Sequence, residues 1–205
     1  MMNKPGLREI KKEATAHALA EAAFALATER GLDGFVVEDV VQRAGYSRRT
    51  FANHFACKEE AVAMSALISS ASDDVKHLMD EMSEGTKPLD VLYHVMKMQF
   101  TSTLLMKLRE LLLLSQRYPT LEPYILKAYR ELKTEGQKTF HDLYKDYYSE
   151  EYSHLLIGVV YGAILPVLDG SLHVSFPGQS TTEEQDAVTF DQYMDTVFGY
   201  LRNGF

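Results

Sequence analysis

Between positions 47 and 58 of this 205-residue chain stand Ser47, Arg48, Arg49, Thr50, Asn53, His54 and Lys58, a run of hydroxyl, guanidinium, amide, imidazole and ammonium groups. Each of these side chains can donate a hydrogen bond, and the arginines and the lysine carry a full positive charge. Gathered on one short segment, such donors suit the phosphate oxygens and acceptor-rich base edges of a duplex groove.

A second constellation competes. Glu151-x-x-His154 has the spacing of one half of a carboxylate-bridged di-iron site in a helical bundle. That chemistry needs two such motifs and two further glutamates, and the sequence holds no second Glu-x-x-His. Cys57 is the single cysteine, so an intrachain disulfide and a paired-cysteine zinc site are excluded, and a reducing compartment suits it. As a nucleophile it lacks a base that the sequence identifies. No glycine-rich phosphate cradle follows a strand. The expectation is no catalytic residue, no metal and no cofactor, with an all-α metal-dependent enzyme as a competing reading.

The elements that must hold the donor cluster follow from apolar spacing. Val37, Val40 and Val41 fall on one face of a helix spanning Val37 to Ala44. Gly45 stops it, since glycine accepts the positive φ that reverses a chain within one residue. Ser47 fits the N-cap of the next helix, accepting a backbone N–H from Thr50 or its neighbour. Phe51 and Phe55, four residues apart, point inward against the valines. Arg48, Arg49, Thr50, Asn53 and His54 are left for the remaining faces.

Two helices, a tight glycine turn and a donor-lined second helix make a helix-turn-helix. The stretch AGYSRRTFANHF followed by KEEAV resembles that motif in the tetracycline-repressor (TetR) family. Upstream, LREIKKEATAHALAEAAFALATERGLDGF resembles the family's first helix and the glycine loop that ends it. The likeness spans about the first sixty-five residues.

It implies that Arg48, Arg49, Thr50 and Asn53 approach bases or phosphates behind the Ser47 cap, and that His54 stands where the family meets phosphate. It also implies that Lys58 opens a fourth helix at an anion-favouring N-terminus. Lys11 and Lys12, with Arg8 and Thr15, resemble a basic extension along the flanking backbone. Two positions depart from the pattern. Val36 replaces the usual threonine, and Cys57 replaces a better capping acceptor, at about 1 kcal/mol for a lost cap.

The overall charge of −8 argues against nucleic acid until it is divided along the chain. Through Lys58 there are 9 basic and 7 acidic side chains, and after it 12 basic and 22 acidic. The head is therefore basic and the acid lies downstream, where it suppresses indiscriminate binding.

Beyond Lys58 the pattern stays helical, without a convincing strand. Helices are expected over 58–83, 88–116, 120–148 (one or two), 150–172 and 183–201, with SFPGQSTTEEQD as the clearest loop. Gly136 is a candidate break, and Pro166 should bend or shorten its helix. The apolar run at 155–168 is too short and proline-broken for a bilayer, so no membrane association is expected and the chain reads as cytoplasmic. The segment Leu89–Leu114 is apolar on more than one side and is expected to be a central helix.

Around that helix an effector pocket would be lined by Tyr93, Met96, Phe100, Tyr129, His154 and Tyr161, suited to an apolar molecule with one polar handle. Ordinary core packing is the competing explanation. The chain has twelve tyrosines and no tryptophan, and Tyr144, Tyr147 and Tyr148 are expected as amphipathic surface. Leu155, Gly158, Val159 and Gly162 put small residues on one stripe, facing Val197, Phe198 and Leu201 as a dimer interface, or packing within one chain.

The fold class expected is all-α, with a helix-turn-helix head at 1–57 and an effector-binding and dimerisation body at 58–205. The function expected is a homodimeric, ligand-responsive regulator of transcription, most simply a repressor on a palindromic operator in double-stranded DNA. A regulator without a small-molecule effector is the alternative.

Overall fold

The computed structural model describes residues 6–66, 86–175 and 188–204. Among these the chain is helical and strandless, with one parallel bridge between Ser175 and Thr189. In chain order the helices are α1 (Leu7–Arg30), α2 (Val37–Ala44), α3 (Arg48–Ala52), α4 (Lys58–Met64), α5 (Pro88–Gln99), α6 (Ser102–Arg117), α7 (Glu122–Tyr144), α8 (Glu150–Leu168) and α9 (Phe190–Asn203). Short 3-10 turns stand at Leu32–Gly34 and Pro119–Leu121.

Contacts group the chain into two compact units, one of Met1–Ser69 with Glu110–Arg130, the other of Ser70–Arg109 with Glu131–Phe205. The first contains α1 to α4. In it α4 packs on α1 and against the turn Pro119–Leu121, and α2 packs on α1 and α3. Leu19, Ala20, Ala23, Leu26 and Ala27 form the buried stripe of α1, where alanines let neighbouring helices approach closely. Gly31 ends α1 at φ 72°. The conformation requires glycine, and a Cβ there would in addition displace the Tyr118 hydroxyl.

The second unit is built on a cluster that includes Met96, Leu105, Phe140, Ile157, Val160, Met194 and Phe198. Here α5 packs on α9, and polar groups tie the pair together. The Tyr93 hydroxyl donates to Asp195 Oδ1 at 2.5 Å, and Arg202 Nε donates to Asp90 Oδ1 at 2.9 Å. Lys97 Nζ lies 3.2 Å from Asp191 and 3.1 Å from Asp195. Burial pulls the Lys97 ammonium toward neutrality, but hydrogen bonds to Asp195 and Asp191 outweigh it and hold the proton more tightly than usual.

Several sequence expectations change. The segment expected as one helix from Pro88 breaks at Phe100 and Thr101: Thr101 Oγ1 accepts the backbone N–H of Leu104 at 3.3 Å, so a hydroxyl caps a new helix. The second piece is not wrapped on all sides as a central helix would be, since Met106 and Leu113 are exposed on α6. Gly136 does not interrupt α7. Pro166 falls near the end of α8, which stops at Leu168, four residues short of expectation.

At α9, Thr189 and Gln192 cap each other reciprocally, placing the described helix start at Phe190. The expected start at Glu183, most of the loop SFPGQSTTEEQD and most of the helix from Lys58 to Ser83 lie outside the described residues. Tyr147 and Tyr148 are exposed as expected, whereas Tyr144 packs against the core beside Phe140.

Length does not exclude α8 from a bilayer. Its 19 residues are enough to cross one by length and composition, with mean hydropathy 1.4 and a third of the span buried. The apolar run 155–168 is only part of that helix and contains Pro166, and a core helix meets the same length and composition. The buried face of α8, including Ile157, Val160, Ile164 and Val167, belongs to the core cluster.

Candidate nucleic-acid interface

The head assembles as its spacing predicts. Val40 is fully buried on α2. Gly45 closes that helix in the left-handed region, φ 74° and ψ 28°, with its N–H on the Val41 carbonyl. Phe51 and Phe55 are buried with ring centroids 5.7 Å apart. Arg43 grips Glu29 with both terminal nitrogens, at 2.7 and 2.5 Å, which fixes α2 against α1.

On that support the Ser47 hydroxyl accepts the Thr50 N–H at 3.0 Å and contacts the Thr50 hydroxyl at 2.8 Å. Arg48, Arg49 and Asn53 are exposed, and Thr50 and His54 are half-buried. Arg49 has no partner among the described residues, while Arg48 Nη1 lies 2.5 Å from Glu38 Oε1. Lys11 and Lys12 are exposed on α1. Burial, and then the positive charge of nearby Lys12, hold His54 below the ordinary imidazole pKa. Lys12 and His54, forty-two positions apart, thus belong to one neighbourhood.

Lys58 departs from expectation. Its ammonium donates to the carbonyls of Leu32 and Phe35, at 2.7 and 2.8 Å, and stands 4.9 Å from the Phe35 ring centroid. With those donors engaged, the side chain fastens α4 to the turn after α1 and does not reach outward toward an anion. Residue type signalled a cation, and spacing alone did not show what it met.

The two departures from the family pattern also resolve. Val36 is exposed at the N-cap of α2 without a side-chain acceptor, but its N–H donates to Asp39 Oδ2 at 2.8 Å. Cys57 does cap α4, its Sγ accepting the Glu60 N–H at 3.4 Å, so the expectation of a missing cap is corrected. Glu60 in turn accepts the Ala56 N–H and pairs with Lys127, each at 2.7 Å. Sequence reading missed Glu38, Glu60 and Lys127; an acidic residue ten positions before Arg48 was the signal available for Glu38.

Residues 19–63 match the family described as bacterial regulatory proteins, tetR family. The head is a TetR-family DNA-binding domain. The chain that carries it is a DNA-binding transcriptional regulator. No curated protein matches the chain. The TetR match ends within α4 and leaves the body to be read from its own residues.

There, Tyr93, Met96, Phe100 and Tyr161 are drawn to one hydrophobic cluster, with Met96 only 3% exposed. Tyr93 meets Phe198 edge-on at 5.1 Å, and Phe100 packs beside Phe190 at 6.1 Å. His154 is exposed and lies 3.5 Å from Glu150. Tyr129 falls in the first compact unit. A shallow cavity of about 420 Å³ opens between α1 and α2, lined by Leu26, Glu29, Arg30, Asp39, Gln42 and Arg43; none of the six expected pocket residues borders it.

Among the expected dimer residues, Leu155 is 67% exposed, and a Cβ added at Gly158 or Gly162 would meet nothing within 4 Å. Val159, Val197 and Leu201 are half-buried. Phe198 is corrected: it is fully buried in the core of its own unit and offers nothing to a partner.

Proposed function

We propose that the chain is a homodimeric cytoplasmic repressor that leaves a palindromic operator when a small apolar effector with a polar handle binds its body. The observation that carries the DNA half is the Ser47-capped α3, which presents exposed Arg48, Arg49 and Asn53 from a TetR-family head. Thr50, His54, Lys11 and Lys12 complete the proposed contact surface. Residues 1–57 would supply the DNA contacts, and 58–205 the effector site and the pairing surface.

One five-residue recognition helix reads few base pairs, so two copies about 34–36 Å apart are needed to fix a site. Exposed Leu155 and the open space above Gly158 and Gly162 support close approach of a second helix along α8. Release of DNA requires an effector that prefers the non-DNA geometry, because equal affinity for both states shifts nothing. The engagement of Tyr93, Met96 and Phe100 in side-chain packing favours, as a second reading, a regulator that takes no effector.

Sequencing the genomic fragments retained by the purified protein tests the first reading. A shared inverted repeat is expected, and fragments without common symmetry contradict it. A small molecule that both raises the melting temperature and releases those fragments separates the two readings.

A further inference from the structure

We infer that Glu38 is a specificity-determining residue of the recognition surface: its ion pair biases the direction of Arg48, so that the guanidinium favours a base edge over phosphates. The inference rests on the placement of Arg48 in the groove under the proposed function.

Both ends of the pair stand on fixed backbone. Arg48 is the first residue of α3, directly after the Ser47 cap. Glu38 lies in the first turn of α2, between Val36 and Asp39, whose backbone-to-carboxylate bond of 2.8 Å closes that turn. Neither side chain is shielded, with exposures of 77% for Arg48 and 55% for Glu38.

A guanidinium has five N–H donors. One terminal nitrogen on Glu38 leaves donors on another edge for the two acceptors of a guanine. Paired with a carboxylate, Arg48 adds little net charge to the surface, so it gains little from phosphates, whose attraction depends on uncompensated cations. Preset direction lowers the ordering cost of reading a base. Arg49, with no partner among the described residues, keeps its full charge for the backbone. The two adjacent arginines thus divide the work, one selecting and one anchoring. An exposed pair biases an orientation without locking it, so the effect is graded.

The test is selection of bound sites from a randomised duplex pool by the full-length protein, Arg48→Ala, Glu38→Gln and the double variant. Arg48→Ala identifies the base pair at which preference is lost. Glu38→Gln is expected to lower preference at that same base pair by about two- to fivefold, to leave the other positions alone, and to add nothing in the Arg48→Ala background.

An unaltered profile in Glu38→Gln overturns the inference, as does a change that persists without Arg48 or spreads over every position. Should Arg48→Ala itself leave the profile intact, the placement of Arg48 in the groove fails and takes the inference with it. Loss of preference confined to Arg48→Ala sinks the role of Glu38 alone.

Discussion

The Lys58 ammonium donates to the Leu32 carbonyl at 2.7 Å, across twenty-six residues, so a cation at the head of α4 fastens the turn that follows α1. Together with its bond to Phe35 this is a charged donor satisfying two backbone acceptors. Lys58→Ala should lower stability by about 1–3 kcal/mol, measured by chemical denaturation. The slope of DNA affinity against salt should stay close to that of the parent, because a cation already engaged releases few counterions. A shallower slope at unchanged stability would mark Lys58 as a phosphate contact.

Ser47 fixes the start of α3 through one hydroxyl acceptor. Ser47→Ala should cost about 1 kcal/mol of stability and weaken DNA binding by fraying the turn that carries Arg48. Cys57→Ser, where an oxygen replaces a sulfur at 3.4 Å from the Glu60 N–H, should stabilise the head, since a hydroxyl is the stronger acceptor. Thermal melting of the two variants in parallel reads both signs.

How much was legible in the sequence depended on the range of the interaction. Gly45, Ser47, Phe51 and Phe55 act within one or two helical turns, and spacing alone placed them. The break at Thr101 is also local, but its signal, a hydroxyl cap in a run without glycine or proline, was masked by apolar residues on both sides. Lys58 and Phe198 were misread for another reason. Residue type established that one is a cation and the other a large apolar ring, whereas their partners, Leu32 and Tyr93, lie 26 and 105 positions away. Periodicity does not report which of two apolar surfaces a helix turns toward its own core.

His54 is held below the usual imidazole pKa of 6.5 by burial and by Lys12. The unfolded chain therefore takes up this proton first as pH falls below about 6.5, and stability declines through that window. A phosphate beside the ring would favour the imidazolium, so DNA binding should take up a proton and strengthen as pH drops from about 7.5 to 6. Fluorescence anisotropy across that range should show the trend in the parent and its loss in His54→Gln. An identical pH profile in the variant removes His54 from the contact surface.

Phe198 and Leu155 are both large and apolar but should fail in different ways. Phe198→Ala empties a fully buried position and should cost about 3–5 kcal/mol. Leu155 is 67% exposed, so Leu155→Glu should leave the melting temperature of the separated chain unchanged and shift sedimentation toward monomer. A Leu155→Glu protein that still sediments as a dimer would move the pairing surface elsewhere.

The most direct test of the central claim is the affinity of the double variant Arg48→Ala, Arg49→Ala for a duplex selected by the parent protein, measured at fixed salt. Two exposed guanidiniums on the recognition helix predict a loss of about a hundredfold or more, with the fold intact by circular dichroism. Unchanged affinity in a folded double variant would contradict the placement of this helix in the groove.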